Sequence, residues 1–171
     1  ERARDFGGVW LSNTYPGAAC DIPSVLYSYS FEPNADWTRQ WPDQPELLAY
    51  FQGVARKHGL YERARFNTAV VSCVWSESTQ LWTSTLRRVG AFADGCEDEV
   101  LVTNFVVSSV GQLSEMQWPK IANLADIGCP QVHSAQWRDA DVSGKCVAVV
   151  GAGASAIQIV PAIAQSAKHV V

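Results

Sequence analysis

Residues 43–59 carry apolar positions at a helical spacing. These positions recur every three or four residues and would share one helical face: Leu47, Leu48, Phe51, Val54 and Ala55. Asp43 and Glu46 have the spacing of a capping box, and Pro45 suits the first turn of a helix. Gly59 stands where helices commonly end in a left-handed residue. We therefore predict a helix that begins near Pro45 and ends before Gly59.

Three later segments are rich in β-branched and aromatic residues and predict strands at 66–75, 80–87 and 100–108. The first two are separated by only four residues, so an antiparallel hairpin is expected, and the third strand extends it to a three-stranded meander. Residues 105–107 are apolar without interruption, a pattern typical of a strand buried on both faces. We expect the third strand to be buried in this way.

The most informative pattern begins at 145–150, a short apolar run followed directly by Gly-x-Gly-x-x-Ala at 151–156. Apolar residues then recur at helical spacing: Ile157, Val160 and Ala164. This is the strand–turn–helix order of a dinucleotide-binding βαβ unit. Gly151 permits a sharp turn, Gly153 lets the backbone approach a pyrophosphate, and Ala156 lets the helix lie close to the strand. The free N–H groups of the helix N-terminus would face the phosphates.

A transmembrane helix is the alternative for the uncharged residues 146–167. Two glycines, a serine, Gln158 and Pro161 interrupt this segment, and a strand followed by a turn explains them better. Residues 169–171 resemble the start of the next parallel strand. The position that separates NAD from NADP is expected about 20 residues beyond the glycines, where this sequence has already ended.

Composition and charge narrow the classes of function. Of 171 residues, 47% are apolar and 18% charged, as in a globular protein with a large core. A net charge of −4 and a pI near 5.3 argue against a nucleic-acid partner. The five cysteines are scattered without a Cys-x-x-Cys pair, which favours a reduced cytoplasmic protein without a metal site. Because the sequence begins at Glu1 and ends within an expected strand, we interpret it as an internal fragment.

Residues 1–31 combine glycines and turn residues with a dense set of aromatic side chains. These are Trp10, Tyr15, Tyr27, Tyr29 and Phe31. A solvated linker would not carry so many of them. The segment is either a loop that covers the core or a loop wrapped around a flat ligand.

Four blocks of the sequence carry a recognisable resemblance. They are Gly-Gly-Val-Trp at 7–10, Asn-Thr-Tyr-Pro-Gly at 13–17 with Cys-Asp at 20–21, Tyr-Ser-Tyr-Ser-Phe at 27–31, and Gly-Gln-Leu-Ser at 111–114. Together with the glycine motif at 151–156, they make the chain resemble the Baeyer–Villiger monooxygenases, a branch of the flavin-dependent monooxygenases with two dinucleotide-binding domains.

The resemblance implies an α/β flavoprotein with FAD- and NAD(P)-binding Rossmann-like domains and an inserted antiparallel three-stranded meander. Residues 1–114 would be part of the FAD-binding domain, 115–144 a connecting segment, and 145–171 the start of the NADP-binding domain. The first Gly-rich motif of the family would lie upstream and its essential Arg downstream. We therefore expect these residues alone to be inactive.

The resemblance also implies the site residues. Those lining the FAD site would be Glu1, Gly8, Val9, Trp10, Asp21, Tyr27, Val70 and Gln112, with Glu1 holding the adenosine ribose. Ala19, Cys20 and Asp21 would face the nicotinamide, and Asp21 is the one candidate catalytic acid. The NADP pyrophosphate would be bound by Gly151, Gly153, Ser155, Ala156 and Gln158. No metal ligand is expected.

The family fingerprint Phe-x-Gly-x-x-x-His-x-x-x-Trp is only partly present. His133 and Trp137 have the right spacing, but Ile127 and Cys129 occupy the Phe and Gly places. We predict that His133 orients the connecting segment through hydrogen bonds and is not a base. Trp137 favours the Baeyer–Villiger branch over the monooxygenases that oxidise nitrogen or sulfur.

The function that the resemblance implies is oxidation of a ketone or a related apolar molecule. NADPH would reduce FAD, and O₂ would give a flavin peroxide that converts the ketone to an ester or lactone. Two other enzyme classes stay open: a monooxygenase that oxidises nitrogen or sulfur, and a reductase with two dinucleotide-binding domains. A non-catalytic dinucleotide-binding protein is a further alternative. Neither a nucleic-acid partner nor a membrane span is expected.

Overall fold

The computed structural model describes residues 1–93, 95–138 and 140–171. These residues form two compact units. The first unit comprises Glu1–Phe6 and Ala55–Gln112, and the second comprises Gly7–Val54 and Leu113–Val171.

The first unit contains an antiparallel sheet of three strands in the order β1 (Thr68–Ser76), β2 (Leu81–Arg88), β3 (Glu99–Thr103). Trp75 pairs with Trp82 across the hairpin, and their ring centroids lie 5.5 Å apart. Cross-strand aromatic pairs of this kind stabilise a hairpin and help to set its register. The predicted meander is therefore confirmed, and its strand ends lie close to those expected except for the end of β3.

The prediction that the third strand is buried on both faces is wrong. β3 ends at Thr103, and the side chains of Phe105 and Val107 are each 85% exposed. Within this sheet β3 pairs only with β2, and the chain leaves the ladder where the apolar run continues. An uninterrupted apolar run fits a strand buried on both faces, but it does not supply the second layer that such burial requires.

The predicted helix is α2 (Gln44–Lys57), and three positions of its apolar face, Leu47, Val54 and Ala55, are buried. Its C-terminus ends as expected. Gly59 has φ of +62°, its N–H donates to the carbonyl of Arg56 (3.0 Å), and the Leu60 N–H donates to that of Ala55 (2.9 Å). These two bonds form a Schellman motif.

The N-terminus of α2 differs from the predicted capping box. The Leu47 N–H donates to the Asp43 carbonyl (3.2 Å), so Asp43 occupies the N-cap position. Its carboxylate, however, pairs with Arg39 (3.1 Å), and the Glu46 carboxylate accepts from the Thr38 N–H (2.9 Å). These contacts replace the reciprocal bonds of a capping box, because the preceding loop brings other donors within reach.

The second unit contains a parallel βαβ unit made of β4 (Cys146–Val147), α3 (Ala154–Ile163) and β5 (His169–Val170). The Val149 N–H donates to the Val171 carbonyl (2.7 Å), which extends the parallel pairing beyond the short strands. Tyr15, Ala18, Ile159 and Ile163 form the buried core of this unit, and β4 and β5 pack against it. The predicted strand–turn–helix and the following parallel strand are confirmed.

Among the described residues, the helical elements of the segments predicted to be irregular are short turns. They are α1 (Val9–Ser12) and the 3₁₀ turns Ser24–Leu26, Leu124–Asp126 and Ser134–Gln136. Across the described residues, no helix is both long enough and apolar enough to cross a membrane.

Ile163 and Ile157 offer a test of this core within a single helix, because Ile163 is 2% exposed and Ile157 is 69% exposed. Ile163→Ala removes buried methyl groups and should lower the free energy of unfolding by about 2–5 kcal/mol. Ile157→Ala is the matched control and should change it by less than about 0.5 kcal/mol. Denaturant titrations measure both values, and equal effects would contradict the assigned core.

Candidate functional site

The glycine turn between β4 and α3 has the backbone that its sequence predicts. Gly151 has φ of +127°, a conformation that favours glycine, and Gly153 is the N-cap of α3. A Cβ at either glycine would meet no atom within 4 Å. The first N–H groups of α3 have no partner within the helix, so the turn offers donors and a positive dipole end to an anion. Ser155 and Ala156 follow in the first turn and are half-buried.

Gln158 lies one turn further along α3, and its carboxamide contacts the segment 15–19. The Tyr15 hydroxyl donates to Gln158 Oε1 (2.9 Å), and Gln158 Nε2 donates to the Ala19 carbonyl (2.9 Å). The Ala19 N–H also donates to Oε1, at a longer 3.5 Å. Gln158 therefore binds the backbone of a loop that is about 140 residues distant in sequence.

Gly17 lies where this loop approaches α3 most closely. It has φ of +81°, and a Cβ placed there would lie 2.6 Å from the Gln158 carbonyl oxygen and 3.2 Å from Cβ of Ala162. Both the conformation and the space exclude a larger residue. Sequence reasoning used Tyr15 and Gly17 only as part of a motif and assigned them no role. The Tyr-Pro-Gly order was the available signal, because it indicates a turn in which a glycine supplies positive φ.

The opposite side of the loop is bound by the start of α2. The Gln44 N–H donates to the Ala18 carbonyl (2.8 Å), and the Cys20 N–H donates to the Pro42 carbonyl (3.0 Å). Cys20 is buried, whereas the next residue, Asp21, is exposed. The fold therefore holds the backbone on one side of Asp21 and leaves its carboxylate accessible.

The predicted FAD-lining residues of the second unit lie close together. Gly8, with φ of +54°, is the N-cap of α1, and Val9 is the first residue of that helix. The Trp10 indole N–H donates to the Tyr27 hydroxyl (3.0 Å), and the two rings meet edge to face at 5.6 Å. The Gln44 side chain donates to the Trp10 carbonyl. Trp10 and Tyr27 thus form an aromatic pair beside Gly8 and Val9, and residues 8–10 and 27 are called the aromatic cluster below.

Three further candidates belong to the first unit. Glu1 is exposed, and its Oε1 accepts from the Ala3 N–H (2.8 Å), while its carbonyl accepts from the Thr68 N–H at the start of β1 (3.0 Å). Val70 lies on β1 at an irregularity of the register and is 60% exposed. Gln112 is exposed in the segment that follows β3.

The two fingerprint residues have structural partners. His133 Nδ1 accepts from the Ala135 N–H (3.1 Å), and Nε2 lies 3.3 Å from the Gln117 carbonyl oxygen. The imidazole also meets Trp118 edge to face, with ring centroids 5.5 Å apart. Trp137 packs against the core of the βαβ unit. The orienting role of His133 stays a prediction.

No group of three or more His, Cys, Asp or Glu side chains with metal-binding geometry occurs in residues 1–93, 95–138 and 140–171. All five cysteines are free, and only Cys20 is buried.

Sequence comparisons find relatives along nearly the whole chain. The FAD-binding monooxygenase ktnD of Aspergillus niger is 45% identical over 172 residues, covering 99% of this chain and 28% of the relative. A Baeyer–Villiger monooxygenase of Pseudomonas aeruginosa is 40% identical over 164 residues, covering 95% of this chain and 29% of the relative. The chain thus spans less than a third of these relatives. No protein-family model matches it.

Solved structures give the same result. A complex of OTEMO with FAD and NADP matches 99% of this chain with a TM-score of 0.86 and 33% identity, and the match covers 32% of that protein. A cyclohexanone monooxygenase bound to ε-caprolactone matches 99% of the chain with a TM-score of 0.87 and 30% identity, again over 32% of that protein. Along nearly its whole length, the chain is homologous to a part of the FAD-binding monooxygenases of the Baeyer–Villiger type.

Proposed function

We propose that the chain is part of an FAD- and NADPH-dependent monooxygenase that converts a ketone to an ester or lactone. The observation that carries this proposal is the loop of residues 15–21, which the fold holds against the helix of the glycine turn. The loop carries the candidate acid Asp21, and the turn is suited to a dinucleotide. The names of the relatives and the FAD, NADP and ε-caprolactone in the related structures support the same reaction.

The finer architecture is part of the proposal. Residues 1–114 belong to an FAD-binding domain, 115–144 connect it, and 145–171 begin an NADP-binding domain, both domains of the Rossmann type. The parallel βαβ unit with its glycine turn supports the second assignment. The meander of β1 to β3 is the antiparallel insertion of the first domain.

The residues at the glycine turn fit a pyridine dinucleotide. Gly151, Gly153 and the first N–H groups of α3 would bind its pyrophosphate, and the Ser155 hydroxyl is a further donor in the first turn. The aromatic cluster of residues 8–10 and 27 would line the FAD site together with Glu1, Val70 and Gln112. When bound, the two cofactors supply two electrons and the site of O₂ activation.

The overall reaction uses one ketone, one O₂, one NADPH and one proton. One oxygen atom enters the bond between the carbonyl carbon and its neighbour, and the other leaves as water. NADPH is oxidised to NADP⁺. The task of this chain is to bind and orient the cofactors and to exclude bulk water from them.

Asp21 is the residue proposed to act at the reacting centre. Its carboxylate is exposed at the end of a loop whose backbone is bound at Ala18, Ala19 and Cys20. A fixed carboxylate there would pair with a cationic side chain and orient it toward the reacting oxygen. The backbone of Ala19 and Cys20 would lie beside the Asp21 carboxylate and face the nicotinamide.

The first test is purification of the full-length gene product. We expect a yellow protein with the visible absorption bands of bound flavin, which consumes NADPH and O₂ in the presence of a ketone. A colourless protein that neither binds added FAD nor consumes NADPH would contradict the proposal and favour a non-catalytic dinucleotide-binding protein. NADPH consumption with an artificial electron acceptor, but no oxygenated product, would indicate a reductase.

A panel of substrates separates the two monooxygenase classes. Cyclic and linear ketones are compared with sulfides and tertiary amines, and the products are identified by mass spectrometry after reaction with isotope-labelled O₂. We expect esters or lactones that carry one labelled oxygen. Sulfoxides or N-oxides without esters would assign the protein to the monooxygenases that oxidise heteroatoms.

Asp21→Ala tests the proposed acid in the full-length gene product. We expect kcat and kcat/KM to fall together by about 10- to 100-fold, because the substitution removes an interaction of a charged group that forms in the transition state. FAD content should stay near that of the unchanged protein. Asp36→Ala, another exposed aspartate of the same unit, is the control. Unchanged kinetics for Asp21→Ala would reduce Asp21 to a loop residue.

A further inference from the structure

We infer that Gln158 is a positioning residue that holds the Asp21 loop on the dinucleotide helix, and that it is not a ligand of the pyrophosphate. Its effect on catalysis rests on the proposed function, whereas its contact with the loop stands on the structure alone. The inference changes the role that the sequence resemblance implies for this residue.

The chemistry of the Gln158 carboxamide supports this role. Gln158 Oε1 accepts from the Tyr15 hydroxyl at 2.9 Å, while Nε2 donates to the Ala19 carbonyl at 2.9 Å. An amide is the side chain that offers an acceptor and a donor side by side. A carboxylate would keep the acceptor and lose the donor. Both polar atoms of the Gln158 side chain, Oε1 and Nε2, therefore have a partner on the loop.

The close contact between the loop and α3 supports it as well. Gly17 lies so close to α3 that an added Cβ would come within 2.6 Å of the Gln158 carbonyl oxygen. Tyr15 and Ala18, on either side of Gly17, are buried with Ile159 and Ile163 of the same helix. The hydrogen bonds of Gln158 are therefore formed beside an apolar core, where an unpaired polar group is costly.

Hydrogen bonds hold the backbone of the loop from two sides. Ala18 and Cys20 are bound through their backbones to residues 42–44, on the other side of the loop from α3. Gln158 supplies the side-chain hydrogen bonds between Ala19 and α3. Asp21 follows two residues later with its carboxylate exposed. Removing the carboxamide would release Ala19 on one side, and the position of Asp21 would become less defined.

The helix α3 follows the glycine turn and also carries Gln158. The glycine turn leads into Ala154, and Gln158 lies four residues later on α3. A dinucleotide held at the start of this helix and a loop held at Gln158 share one rigid element. The helix thus sets the position of the Asp21 loop relative to the glycine turn.

The experiment compares Gln158→Met, Tyr15→Phe and the double variant in the full-length gene product. Methionine keeps the length of the side chain and removes its polar atoms. Gln165→Met, an exposed glutamine just beyond α3, is the matched control. Gln158→Glu, which keeps the acceptor, is the milder variant if the methionine variant does not fold.

The first readout needs no cofactor. The shift of the denaturant midpoint is measured for both single variants and the double variant. If Gln158 holds the loop through Tyr15, the shift of the double variant is smaller than the sum of the single shifts, because the second change removes a bond that is already lost. Additive shifts would overturn the contact, whatever the protein catalyses.

The second readout separates positioning from pyrophosphate binding. For a positioning residue, we expect the Kd of NADP⁺ to change less than about threefold in Gln158→Met, while kcat falls by about tenfold or more. A pyrophosphate ligand gives the opposite result, a Kd raised about tenfold with kcat little changed. That result would overturn the inference.

The two failures are distinguishable. If the unchanged protein neither binds FAD nor consumes NADPH, the proposed function fails, and the midpoint shifts still decide whether Gln158 holds the loop. If the unchanged protein is active and Gln158→Met keeps both its kcat and its Kd, the positioning role fails while the proposed function stands.

Discussion

The second unit depends on the close approach of a loop to a helix. At Gly17 the backbone comes nearer to α3 than any side chain would permit, and Gln158 forms hydrogen bonds to Tyr15 and Ala19, which flank this contact. The apolar residues beside it form the buried core of the unit. Burial of that core and the polar bonds depend on each other, since the hydrogen bonds are formed only when the loop lies on the helix.

This constraint gives an irregular segment a defined backbone position. Residues 13–21 contain no regular element, yet their backbone is bound on one side by α3 and on the other by residues 42–44. A loop held in this way positions a side chain nearly as well as a helix would. The exposed carboxylate of Asp21 follows directly from that rigid segment.

The first unit is organised differently. Its antiparallel sheet is defined by local pairing of consecutive strands and by the tryptophan pair of the hairpin. Many of its apolar side chains, among them Val70, Val74 and Val100, are exposed. The candidates Glu1, Val70 and Gln112 lie on accessible surface of this unit, as residues that contact a ligand would. The FAD-lining role proposed for these three residues rests on the sequence resemblance alone.

Local patterns determined the elements of this protein. The helix at 44–57 with its Gly59 terminus, the three-stranded meander and the strand–turn–helix of the glycine motif were all predictable, because each depends on contacts between residues close in sequence. The glycine motif and the Gly-Gly-Val-Trp to Cys-Asp block also indicated the family.

Only the tertiary structure decided which of these residues meet. The run at 105–107 was apolar enough for burial, but its exposure depends on whether a second layer covers it. The amide of Gln158 looked like part of the phosphate motif, but its partners lie about 140 residues away on the Tyr15 loop. Hydrogen-bonding capacity belongs to the residue type and can be read from sequence. The partner that satisfies it is selected by packing, which places distant segments together.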